Sequence, residues 1–293
     1  MRKAYYQLHL AVLLAGLTGI LGRLITLNEV MIVWYRLLLT AITMWIIFLY
    51  RKRIQVVDFK TLLKIMGVGV LAASHWLFFY GSIKYSNVSV SLVCFSLLSF
   101  FTAILEPVFL KQKLNKVELL LGLITLSGVY LIFHFDTKYK LGIILGVLSA
   151  LLAAIFPIFN RELLKKTNKE TLLSYQQSGG FLFVTLLLPF YSRFIGIPEF
   201  LPSLTNFGWL LVLSWVCSVW AFQLSASALT KLSAFTVNLS FNLEPVYGIL
   251  LAFLFFREDQ FLSKWFYWGF AIIGVALLAH VYLLFNKKIK TPQ

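Results

Sequence analysis

Apolar residues run in long blocks along this chain, each ending at a short cluster of charged or turn-forming residues. A helix needs roughly 20 such residues to cross the hydrocarbon of a bilayer, because it rises only about 1.5 Å per residue. Ten blocks of that kind predict helices over residues 8–27, 30–50, 61–81, 88–110, 117–134, 141–160, 172–191, 206–228, 233–256 and 264–285. The pattern is that of an all-α polytopic membrane protein. The intervening loops are short, the longest running from about Tyr191 to Asn206, which leaves no soluble domain to house an ordinary catalytic site. The first block follows Arg2 and Lys3 as a signal peptide would, yet it carries Arg23 and lacks an Ala-x-Ala cleavage pattern, so it reads as a retained helix.

Composition agrees with the pattern: 60% of residues are hydrophobic and 13% charged, where globular domains carry roughly 25% charged residues. The net charge of +15 does not point to nucleic acid, because the 26 lysines and arginines are spread over short loops. With a cytoplasmic N-terminus, eighteen of them fall on the inner side and six on the outer, with Arg23 and Arg36 inside helices. That bias predicts both termini in the cytoplasm and fits a bacterial inner (plasma) membrane. Cys94 and Cys217 lie inside apolar blocks without metal-ligand spacing, and no cofactor or metal site is expected.

The chain also resembles itself. The stretch "GSIKYSNVSVSLVCFSLLSFFTAILEPVFLKQKL", followed by "GVYLI", is similar to "SALTKLSAFTVNLSFNLEPVYGILLAFLFFRED", followed by "GVALL". An offset of 146 sets Phe95 over Phe241 and Gly128 over Gly274. This divides the chain into residues 1–136, 141–285 and a basic tail, 286–293. Five helices per repeat is an odd number, so the second repeat enters the membrane from the opposite side and the pair is inverted.

Glu244 and Pro245 stand near the centre of the ninth block. A carboxylate at that depth costs a few kcal/mol unless it faces protein or water, so Glu244 is expected to point inward. Pro245 has no N–H and is expected to break the helix, freeing the carbonyl of Phe241 into a protein or cavity environment; it is the one proline placed near mid-membrane. Asn238 and Asn242 lie on nearly the opposite face from Glu244. Arg36 is expected to reach the level of Glu244 and pair with it. His75, Tyr80, Gln176, Gln177 and Gln223 are further polar groups within blocks, and Trp76, Tyr175, Trp220 and Tyr247 are candidate aromatic walls. Arg23, near a helix end, reads as snorkelling to the interface. A competing reading makes Glu244 a buried carboxyl that only ties helices together.

Ten helices in two repeats, the pieces "SIKYSNVSVSLVCFSLLSFFTAILEP" and "LEPVYGILLAFLFFRE", and Arg36 in "WYRLLLTA" resemble the EamA-type branch of the drug/metabolite transporter superfamily. Ser99 stands where that family tends to carry a proline and Lys111-Gln112 where it tends to carry Gly-Glu, so the first repeat is expected to lack the bend of the second. The resemblance implies a secondary carrier or exporter of small organic metabolites, alternating access around a central cavity and sitting in a lipid bilayer. Glu244, Asn238, Asn242, His75, Trp76, Tyr80, Arg36, Tyr175, Gln176, Trp220 and Tyr247 are the expected substrate-binding residues, with Glu244 the candidate to bind an amine or carry a proton. A membrane-embedded enzyme is disfavoured, since Asp58, Asp136 and Asp259 all sit in loops and no HExxH occurs. A scaffold or receptor subunit gives no reason for mid-span polar residues.

Overall fold

The computed structural model describes residues 2–290 apart from Asp136, Pro198, Ser233 and Asn242. The side chains of Phe133, Phe135, Thr137, Ala234, Phe235, Asn238, Leu239, His280, Val281 and 283–290 also lie outside the description. The described residues fold into α1 (Arg2–Leu24), α2 (Glu29–Tyr50), α3 (Phe59–Tyr85), α4 (Val88–Leu110), α5 (Lys116–Phe135), α6 (Lys140–Leu163), α7 (Lys169–Phe194), α8 (Leu204–Leu229), α9 (Ala234–Phe241 with Leu243–Phe256) and α10 (Lys264–Lys290). Six of these, α1 to α4 with α6 and α8, are long and apolar enough to cross a membrane on length and composition alone. α7 falls short because it carries Ser174, Gln176, Gln177 and Ser178 inside its length. Leu123, Leu186, Leu250 and Leu254 are exposed on the outer faces, as a protein solvated by lipid requires.

Several helices begin where a short polar side chain satisfies an otherwise orphaned backbone N–H. Asn28 accepts from Met31, Asp58 from Thr61, Asn87 from Val90, Asn168 from Thr171 and Ser203 from Asn206. These caps lie beyond the apolar blocks, which is why α3 and α7 extend past the predicted 61–81 and 172–191. Hydrogen bonds from Thr61 hold the Asp58 carboxyl below its usual range, so that cap is intact at neutral pH and is lost on acidification through the lowered value.

The packing pattern repeats under exchange of each helix for the one five places on. α3 packs along α6, as α8 does along α1; α4 meets α6, as α9 meets α1; α3 meets α7, as α8 meets α2. The pairs α2 with α7, α4 with α9 and α5 with α10 map onto themselves. Such a set is what a two-fold relation between two five-helix repeats demands.

The expectation that α4 runs without a bend is wrong. Its two helical pieces, Val88–Phe95 and Leu98–Leu110, flank a turn at Ser96 and Leu97. Leu97 N–H reaches back only to Cys94 O at 3.1 Å, and the Ser96 hydroxyl donates to Leu92 O at 3.3 Å. A serine bonding its own preceding turn can bend a helix without proline.

Glycines set the closest seams. A Cβ built on Gly128 of α5 would lie 2.7 Å from the Gly269 carbonyl of α10, and one on Gly180 of α7 would lie 2.9 Å from the Gly69 carbonyl of α3. Backbones meet this closely only where side chains are missing. Gly128→Leu is expected to lower stability by about 1–3 kcal/mol through overpacking. Gly274→Ala, with nothing within 4 Å of its added carbon and alanine the better helix former, should keep or raise the melting temperature in a fluorescence unfolding scan.

Candidate functional site: a cavity between the repeats

A cavity of about 110 Å³ lies between the repeats. Since one water needs roughly 10–15 Å³ on this measure, the space suits a solute of on the order of ten heavy atoms. Helices α1 to α4 and α6 to α9 all contribute to its wall. α5 and α10 pack on each other outside it.

The wall is built from matching positions of the two repeats. Phe95 and Leu98 of α4 stand where Phe241 and Glu244 stand on α9. His75, Trp76 and Phe79 of α3 correspond to Ala221, Phe222 and Ser225 of α8 at the same offset. Ala11, Ala15 and Thr18 of α1 match the spacing of Ala153, Pro157 and Asn160 of α6, and Arg36 of α2 aligns with Gln176 of α7 through the paired motifs "WYR" and "SYQ". The geometry is nearly two-fold while the chemistry is not.

Arg36 is 2% exposed, deep enough that its charge must be met by protein. Its Nε donates to Ser218 Oγ at 2.8 Å, its Nη1 to the Tyr80 hydroxyl at 2.8 Å, and its Nη2 lies 3.5 Å from the Cys217 carbonyl. The guanidinium carbon sits 4.4 Å from the Trp76 ring centroid and 5.6 Å from that of Phe222, and the two rings stack on each other. Two of the three acceptors, Ser218 and Cys217, come from a π-helical turn, Trp215–Trp220, inside α8. Wider winding there leaves the Ser218 hydroxyl bonded to Leu213 O at 2.9 Å and lets the Cys217 carbonyl face Arg36. The expected ion pair of Arg36 with Glu244 is therefore replaced by hydrogen bonds to neutral groups. Glu244 is 5% exposed and shares the cavity.

His75 also lines the wall, its Nδ1 3.0 Å from Ser149 O and 2.8 Å from Ser149 Oγ, and the ring is fixed among Trp76, Phe79, Phe95 and Phe156. Trp76 and Gln176 line the cavity as expected. Tyr80 stands behind Arg36 as its acceptor. Tyr175 sits edge-on to Trp45 at the α2 and α7 seam, with ring centroids 5.0 Å apart, and Tyr247 packs against Gly16 of α1. Trp220 faces outward, 49% exposed, because the π turn rotates it away from the bundle. Asn242 and the Asn238 side chain lie outside the described residues. Pro245 is buried in the first turn of Leu243–Phe256, whereas Pro157, not singled out from the sequence, lines the cavity. Asn160, Gln177, Phe156 and Phe222 are lining residues the sequence reading left out of the site; the repeat offset would have found Phe222 from Trp76.

Arg23 does more than snorkel. It pairs with Glu258, which is 2% exposed and lies past the end of α9. The same carboxylate accepts from Val88 N at 3.1 Å, Ser89 N at 2.8 Å and Ser89 Oγ at 2.6 Å. Glu258 thus caps α4 from another helix and ties the ends of α1, α4 and α9 together. This side chain closes the motif "LEPVYGILLAFLFFRE".

The profile of the EamA-like transporter family matches residues 2–134 and again residues 140–279. The chain belongs to the EamA-like transporter family. An uncharacterized transporter of Haemophilus influenzae is 30% identical over 163 residues, covering 52% of this chain and about half, 53%, of that protein. One from Archaeoglobus fulgidus is 27% identical over 236 residues, 78% of this chain and 76% of its own. A solved structure described only as a crystal structure of a protein superposes with a TM-score of 0.67 over 96% of this chain and 97% of its own, at 14% identity, which shows the shared fold. This EamA-like transporter is a multi-pass integral membrane protein with a cavity enclosed by both repeats.

Two substitutions test the framework. Ser218→Ala leaves an Arg36 N–H without its acceptor and is expected to cost about 1–3 kcal/mol, read as a lowered melting temperature. Glu258→Ala removes four hydrogen-bonded partners at once and should destabilise far more than Glu162→Ala, which breaks an exposed pair worth about 0–1 kcal/mol.

Proposed function

We propose that this transporter is a secondary carrier of small organic metabolites such as amino acids or amphipathic amines, working as an exporter by alternating access between its repeats. The observation that carries the reading is the cavity itself: its wall takes matched positions from eight helices of both repeats. Inverted repeats offer a way to open such a site to either side by rocking one half against the other. Aromatic walls with few polar anchors suit an amphipathic solute better than a bare inorganic ion. The excess of basic residues on one set of loops supports cytoplasmic termini in a bacterial inner membrane.

In this reading Arg36, His75, Trp76, Gln176 and Glu244 contact the solute, Tyr80 orients Arg36, and the bend at Pro245 makes room for cargo. Asn238 and Asn242 keep their place as expected contacts, while Tyr175, Tyr247 and Trp220 stand off the cavity wall and are not needed for contact. Glu244 is the group available to exchange a proton, because Arg36 is bonded to Ser218, Tyr80 and Cys217 instead.

Purified protein in proteoliposomes is expected to exchange a radiolabelled amino acid or amine across the membrane, and an imposed pH gradient to change the rate. Glu244→Gln should abolish the response to the gradient while the protein still folds. A mutant that responds like the parent removes the proton role; absence of exchange for every amine and amino acid tried removes the carrier reading.

A further inference from the structure

The two repeats do not close the cavity equally. At the end of the bundle where α7 begins, the wall continues through Leu173 near the start of α7, Ala226 and Leu229 in the last turn of α8, and Val237 in the first turn of α9. The spacings that pair Arg36 with Gln176 and Trp76 with Phe222 make Val33, Tyr80, Ile83 and Ser91 their counterparts at the opposite end. None of these four lines the cavity, and all are at most 4% exposed. Helix ends that are packed shut in one repeat therefore border the cavity in the other.

The shut end is also tied by polar contacts. Glu258 joins the end of α1, through Arg23, to the start of α4, through Val88 N at 3.1 Å and Ser89 N at 2.8 Å. Beside it, Lys84 Nζ at the end of α3 donates to Ile25 O at 2.6 Å, and Thr26 N donates to Asn206 Oδ1 at the start of α8 at 3.1 Å. The repeat offset sets Gln112 where Glu258 stands, and the spacing that pairs Thr18 with Asn160 sets Lys165 where Arg23 stands. Gln112 is exposed, and its side chain bonds nothing among the described residues. Lys165 is taken up by Glu162 at the surface, 2.7 Å away on the same stretch of chain. A carboxylate as buried as Glu258 cannot give up its partners without a large cost. The pairing thus weighs on one end of the bundle, with no equal at the other.

We propose that Glu258 and Arg23 form a one-sided latch that sets the resting state of the carrier, with the Glu258 end shut and the Gln112 end loose. Exchanging the parts played by the two inverted repeats generates the opposite state. In it Val33, Tyr80, Ile83 and Ser91 line the cavity, while Leu173, Ala226, Leu229 and Val237 pack against one another's helices. Reaching that state breaks the latch, and Gln112 and Lys165 form no carboxylate pair in return.

The test reads which end of the cavity admits a small reagent. Purified full-length protein carrying Leu229→Cys or Ile83→Cys is treated with N-ethylmaleimide, and each peptide is followed by mass spectrometry, with Cys94 and Cys217 as internal references. Leu229→Cys is expected to react about ten-fold faster than Ile83→Cys, since one position faces the cavity and the other must first open. Gln112→Glu, which sets a carboxylate at the mirror of Glu258 and within the same repeat as Lys165, should lower that ratio by about three-fold through a population shift. Glu258→Gln should lower it as well. Equal rates at the two positions in the parent overturn the one-sided closure. A ratio left unmoved or raised by Gln112→Glu overturns the latch, even if Glu258→Gln fails to fold. Because the latch rests on the alternating-access reading, exchange is measured separately in proteoliposomes: a ratio that shifts without exchange of any amine or amino acid removes the carrier reading and keeps the latch, and exchange with an unmoved ratio does the reverse.

Discussion

A guanidinium buried between helices has no water to fall back on, and the rest of this site is arranged around that fact. A guanidinium carries five N–H donors and no acceptor, so the protein must surround Arg36 with acceptors or ring faces. The fold does both: a π turn in α8 brings the Ser218 hydroxyl and the Cys217 carbonyl to one side, Tyr80 closes another, and Trp76 with Phe222 provide the faces. α2, α3 and α8 are thereby held to one another through a single side chain. The same turn rotates Trp220 outward, so the aromatic wall is completed by Phe222.

Two-fold architecture and asymmetric chemistry serve different ends. Equivalent positions from both repeats line the cavity, while the side chains at those positions diverge. Glu244 stands where the first repeat has Leu98, and Gln176 where it has Arg36. Glu258 holds a comparable role for the framework, since one carboxylate neutralises Arg23 and caps α4, and both needs arise at the same end of the bundle.

Much of the architecture was legible in the residue pattern. Ten apolar blocks, the offset of 146 and the odd helix count lead to an all-α protein with inverted five-helix repeats, because hydrocarbon admits little else and the strand of logic is local. The site was legible only in part. Arg36, His75, Trp76, Gln176 and Glu244 stand out as polar or aromatic residues in apolar surroundings, and they do meet in one cavity. Trp220 and Tyr175 stand out for the same reason and do not. Periodicity fixes which helix face a residue shares, but a single π turn shifts that face by a fraction of a turn, and no residue in "WVCSVW" announces it.

The bend in α4 carries a similar lesson: proline is one cause of an interrupted helix, and serine bonding its own turn at Ser96 is another. What the amino-acid sequence determined by itself was the number and order of the helices, since these follow from transfer of each segment into lipid, one segment at a time. What only the tertiary structure decided was which neighbours answer each buried charge. That Arg36 turns to Ser218 and Tyr80 rather than Glu244 depends on distances between helices far apart in the chain.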